Sequence, residues 1–83
     1  MKLHVNTLFF AAYRDLLGTE RLEVGLEEGA TVADLVASLR GRGKPYSALP
    51  SRPAVAVNLA YAAPGQALAD GDEVAFIPPV AGG

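Results

Sequence analysis

Few side chains in this sequence are of a type and spacing suited to chemistry. Ser38, Ser47 and Ser51 are candidate hydroxyl nucleophiles, but the one histidine, His4, is distant from them in sequence and falls in a strand-like stretch. A serine hydrolase triad is therefore not expected. Asp70, Asp72 and Glu73 have carboxylates to offer a cation but lack the rest of a calcium loop. The aspartates read as turn formers, and no metal site is predicted. Arg40, Arg42 and Lys44 alternate with glycines. They could hold a phosphate or an acidic partner, but basic residues favour helix C-termini and solvent, which is the stronger reading. There is no cysteine, hence no thiolate, disulfide or cysteine persulfide within the chain. What remains is the last stretch, Phe76-Ile77-Pro78-Pro79-Val80-Ala81-Gly82-Gly83. A diglycine has no side chain to obstruct it and reaches backbone angles closed to other residues, so it can enter a narrow site. Its only chemical group is the Gly83 carboxylate.

The rest of the chain must present that end. Eighty-three residues with 51% hydrophobic and 19% charged side chains predict one domain, 1–83, with a small core. Residues 78–83 are expected to form an extended flexible tail, because Pro78 and Pro79 cannot donate to a sheet ladder or continue a helix. A net charge of −2 argues against nucleic acid as the main partner. No apolar run approaches the ~20 residues of a membrane span, and Met1-Lys2-Leu3-His4 lacks a signal peptide's apolar stretch. A cytoplasmic protein with no membrane partner is expected.

Residues 2–10 alternate as a strand, with Leu3, Val5, Thr7 and Phe9 on one face and His4, Asn6, Leu8 and Phe10 on the other. The apolar end of the second face, Leu8 and Phe10, is either covered by another element or reserved for a partner. Ala11 to Leu17 predicts a short helix with Ala12 and Leu16 on one stripe, ended by Gly18 as a left-handed cap. Leu22, Val24 and Leu26 alternate with Arg21, Glu23 and Glu27 as in a half-buried antiparallel strand. Thr31 and Asp34 match a capping box, and Val32, Leu35, Val36 and Leu39 give the main helix its apolar face, with Gly41 or Gly43 at its end. Residues 41–53 read as a loop with at most one helical turn. Ala54 to Tyr61 predicts a strand placing Val55, Val57, Leu59 and Tyr61 on one face, with Asn58 able to turn or bulge it. After the Asp70-Gly71-Asp72 turn, Glu73 to Ile77 is apolar on both faces, the mark of a central strand.

Periodicity alone gives an α+β sandwich. The residues Leu8-Phe9-Phe10-Ala11, Leu17-Gly18, Val57-Asn58 and the run Asp70 to Gly83 resemble the small subunit of molybdopterin synthase, the MoaD-type sulfur carriers of the ubiquitin-like family. The resemblance covers essentially the whole chain. Two departures are an isoleucine at Ile77, where an aromatic is common, and an unmatched loop from Gly41 to Pro53.

The resemblance implies a β-grasp fold, a mixed sheet packed against one main helix with a free C-terminal diglycine tail. It implies that the protein is a non-catalytic sulfur-donor subunit of a heterotetrameric transferase complex, with no permanently bound cofactor. An ATP-dependent activating enzyme would adenylate the Gly83 carboxylate, and a persulfide donor would convert it to a thiocarboxylate. That sulfur would pass to a cyclic pterin phosphate in the large synthase subunit, for molybdenum-cofactor biosynthesis. Gly82 and Gly83 would be the reactive tip. Leu8, Phe10, Ala75 and Ile77 would share one sheet face as a docking patch, rimmed by Arg14 and continued by Pro78, Pro79, Val80 and Ala81. The competing reading of that patch is a core covered by the protein's own loop. Alternative roles are a carrier for thiazole or tRNA thiolation, or a ubiquitin-like modifier of lysines.

Overall fold

A computed structural model describes residues 2–79, so the expectations for Val80, Ala81, Gly82 and Gly83 lie outside the described residues. The chain runs β1 (Lys2–Phe9), α1 (Ala11–Leu17), β2 (Arg21–Glu27), α2 (Val32–Arg40), a 3-10 turn (Tyr46–Ala48), β3 (Ala54–Val57), β4 (Ala60–Ala62) and β5 (Glu73–Ile77). The strands form one sheet in the order β2-β1-β5-β3-β4. β1 and β5 pair in parallel and every other pair is antiparallel. The last strand is therefore central, as its two apolar faces require. This is the β-grasp arrangement, a mixed sheet with one main helix across it.

Alternation decides which sheet face is dry. Leu3, Val5, Thr7 and Phe9 of β1, Val24 and Leu26 of β2, Val55 and Val57 of β3, and Val74 and Phe76 of β5 are all buried. They pack against Val32, Leu35, Val36 and Leu39 of α2 in one hydrophobic cluster. At its centre the Phe9 and Phe76 rings lie 5.3 Å apart at 49°, within the favourable range for tilted aromatic pairs. Thr7 is the buried polar residue among them, and its hydroxyl donates to the Leu22 carbonyl.

Local chemistry starts and stops the helices. Thr31 Oγ1 accepts from the Asp34 amide while the Asp34 carboxylate accepts from the Thr31 amide, completing the capping box. The next amides of α2, from Val32 and Ala33, donate to the carbonyls of Gln66 and Pro64. Residues 64–68 thus close the helix N-terminus and bring Leu68 into the core. Gly18 ends α1 at φ +73, a left-handed cap. α2 ends at Gly41.

Two expectations are corrected. The buried residues of α1 are Tyr13 and Leu17, while Ala12 and Leu16 face outward. The helix is only 7 residues long and follows a sharp corner at Ala11, so its inward face is set by the direction in which it leaves β1. The strand expected over Ala54 to Tyr61 is instead a hairpin, β3 and β4, with Val57 paired to Ala60. Asn58 (φ +49) and Leu59 (φ +72) form its two-residue turn, the positive-φ pattern that matches strand twist in tight hairpins. Leu59 and Tyr61 consequently leave the core face and are 92% and 79% exposed. Among the described residues, no helix is long and apolar enough to cross a membrane.

Candidate functional site

The outer sheet face is built by the same alternation that fills the core. Registers place Arg21, Leu8, Ala75, Ala56 and Tyr61 side by side in one row across all five strands. A neighbouring row, Glu23, Asn6 and Glu73, is polar. The face is thus apolar on the side where β5 runs out to Pro78 and polar on the side where β5 begins.

Of the expected docking residues, Leu8, Phe10, Ala75 and Ile77 do come together. With Ala56, Leu59, Tyr61 and Glu73 they line an open concavity of about 310 Å³. Its floor is small and its walls are large. Phe10 remains 47% exposed. A backbone corner holds Phe10 there. Ala11, a residue with a Cβ, sits at φ +47, and the Phe10 carbonyl accepts the Tyr13 amide at 3.0 Å. The left-handed conformation costs an ordinary residue of order 1–2 kcal/mol, and such cost concentrates at functional positions.

Arg14 stands apart from the concavity. It lines a smaller cleft of about 220 Å³ with Leu8, Phe10, Glu20 and Arg21, and its Nε lies 3.8 Å from Asp15 Oδ1. That pair is exposed, so it adds little to stability. Pro78 and Pro79 line a third hollow, about 390 Å³, with Tyr13, Pro50, Arg52, Tyr61 and Ile77. The end of β5 is therefore flanked by apolar ground on two sides, with Tyr61 and Ile77 common to both hollows.

Leu59, Tyr61, Ala56 and Arg52 escaped the sequence reading. The signal for the first two was Asn58, which tolerates positive φ, but a leucine after it gave no reason to place a turn there. The aspartates at 70 and 72 serve the turn. Asp72 Oδ2 accepts the Ala69 amide, Asp72 Oδ1 accepts from Asn58 Nδ2 at 2.9 Å, and Asp70 Oδ1 accepts the His4 amide. His4 faces Asp70 rather than any serine, with Nδ1 3.7 Å from Oδ1. Among the described residues no group of three or more His, Asp or Glu side chains is placed to hold a metal.

Comparison with known proteins fits this geometry. Residues 7–83 match the ThiS family. The molybdopterin synthase sulfur carrier subunit of Mycobacterium tuberculosis is 42% identical over 82 residues, covering 98% of this chain and 99% of that protein. Among solved structures, SAMP1 from Haloferax volcanii superposes with a TM-score of 0.79 at 31% identity, covering 96% of this chain and 99% of that one. A putative molybdopterin converting factor subunit 1 from Pyrococcus furiosus gives 0.79 at 30% identity, with 94% and 99% covered. The chain belongs to the ThiS family, within the ubiquitin-like β-grasp sulfur carriers that include the small subunits of molybdopterin synthase.

Proposed function

We propose that this protein is the sulfur-carrier subunit of molybdopterin synthase, a non-catalytic donor whose working group is the Gly83 carboxylate. The observation that carries the reading is the 42% identity to a molybdopterin synthase sulfur carrier subunit across 98% of this chain and 99% of that protein. A free carboxylate is a poor electrophile. On an activating enzyme the carboxylate oxygen attacks the α-phosphorus of ATP, releasing pyrophosphate and forming an acyl-adenylate from which AMP can depart. The terminal sulfur of a persulfide then displaces AMP, and a thiol attacks the donor's inner sulfur of the resulting acyl disulfide, releasing the thiocarboxylate and leaving a disulfide between that thiol and the donor. Its ionised sulfur is a soft nucleophile toward an electrophilic carbon of a cyclic pterin phosphate.

Each part of the chain has a task in this reading. The domain, 1–83 as a single unit, is the handle. Leu8, Phe10, Ala75 and Ile77 meet first the activating enzyme and then the large synthase subunit, with Arg14 at the rim. Pro78 and Pro79 stiffen the base of the tail and lower the ordering cost of insertion. Val80 to Gly83 spans at most ~14 Å when extended, enough to carry the terminus into a partner's pocket. Gly82 keeps the tip narrow, so Gly82→Val should fold normally yet fail in sulfur transfer.

Accurate mass of the native protein tests the role. Replacement of one terminal oxygen by sulfur, with thiol-reactive labelling that disappears when Gly83 is removed, is the expected result. A second reading has its own support, since the matched SAMP1 structure belongs to a small archaeal modifier protein. Covalent ladders on lysines, with no thiocarboxylate, would select it instead.

A further inference from the structure

The outer-face concavity has an unusual shape for a flat sheet. Its floor at β3 and β5 is alanine, Ala56 and Ala75, which are direct register partners. Phe10 rises on one side and Leu59 with Tyr61 on the other. The charged residue in its lining is Glu73, half-buried at one end. The Glu73 backbone is fully engaged, its amide donating to Asn58 Oδ1 at 3.0 Å and its carbonyl accepting the Asn58 amide at 2.8 Å. The carboxylate itself takes part in no ion pair of the described residues. Leu59 is held at φ +72 in a turn position that glycine would fill without strain, and it is 92% exposed, so the fold gains nothing from its side chain.

We propose that this groove receives one basic side chain, an arginine or lysine, projected by the protein that docks on the outer face. The proposal deepens the sulfur-carrier reading and rests on it. About 310 Å³ accommodates a single long side chain. Methylene groups lie on the alanine floor, as the stems of long cationic residues do on apolar ground. Aromatic walls at Phe10 and Tyr61 attract a cation through their ring faces. The head reaches Glu73, and a charge-assisted bond at a desolvated position exceeds a neutral one in strength. An acidic or purely aliphatic side chain would leave the Glu73 carboxylate repelled or buried without a partner.

The test is calorimetric titration of the full-length chain with the cognate large synthase subunit at low and high ionic strength. Glu73→Gln keeps shape and removes charge, so binding should weaken about tenfold, in line with losing a charge-assisted contact. Glu73→Lys should weaken it further, and substituting each arginine and lysine of the partner's contact surface by glutamate should identify one variant that restores binding to Glu73→Lys. Ala56→Leu fills the floor and should weaken binding with Glu73 intact. Wild-type affinity for Glu73→Gln, or loss in Glu73→Lys alone with no rescuing partner variant, overturns the groove assignment and leaves the carrier reading standing. Failure of the wild-type chain to bind the large subunit at all overturns both. Circular dichroism of each variant separates these outcomes from misfolding.

Discussion

Replacing Leu59 by glycine should make the protein more stable and a poorer partner at the same time. The side chain is 92% exposed, so its removal forfeits almost no apolar burial within the fold. The backbone sits at φ +72, a conformation costing an L-residue of order 1–2 kcal/mol and glycine essentially nothing. Glycine returns roughly 0.4–1 kcal/mol through the greater freedom of the unfolded chain. The net gain is about 0.5–1 kcal/mol, a rise in Tm of roughly 2–8 °C for a domain of this size. Thermal and urea unfolding followed by circular dichroism would measure it, with an unchanged urea slope showing that the two-state reference is the same. Leu59→Ala is the control. It keeps the strained φ and loses the same apolar surface, so its Tm should stay near wild type while its binding to the large synthase subunit weakens as much as that of Leu59→Gly. A Tm for Leu59→Gly at or below wild type would refute the reasoning, because Leu59 would then be stabilising the fold it is exposed on.

The hairpin and the first helix give further tests. Asn58→Ala removes the bonds to Asp72 Oδ1 and the Glu73 amide and puts alanine at φ +49, so a loss of about 2 kcal/mol is expected by urea titration. Burial pushes the Tyr13 phenol above its ordinary value. The unfolded chain then gives up this proton at lower pH than the folded one, so the contribution is intact below the ordinary tyrosine pKa of ~10 and is lost as pH rises toward the native value. Tyr13→Phe should flatten that alkaline decline in urea midpoints measured from neutral pH upward; an unchanged slope would count against it.

Where pattern and packing agree, the fold was legible. Period-two alternation in residues 2–9 and 21–27 assigned each side chain to its face, and the two apolar faces of 73–77 identified a central strand. The capping box placed the start of α2. The errors fell where a single residue did something local rules disfavour. Leu59 in a left-handed turn made a hairpin look like one continuous strand, and it moved Leu59 and Tyr61 from a presumed core to an outer wall. In 41–53 the expected helical turn is the one at Tyr46–Ala48. Leu49, only 1% exposed, was hidden because one buried leucine in a loop has no period to detect. That Leu8, Phe10, Ala75 and Ile77 share one concavity was legible from pairing β1 with β5, and Ala56, Leu59 and Tyr61, which complete its lining, were missed because that wall depended on the hairpin.

The parallel pairing of β1 with β5 also has a mechanical meaning. β5 lies between two strands, bonded to β1 from Glu73 to Phe76 and to β3 from Val74 to Ile77, and its direction carries straight into Pro78. A pull applied through the residues beyond Pro79 runs along that strand, across both ladders. The bonds on either flank are loaded together in shear instead of opening one after another from an end, the geometry in which a sheet resists force best. A partner that holds the sheet face while tension develops on the terminus would thus be pulling against both ladders of β5 at once.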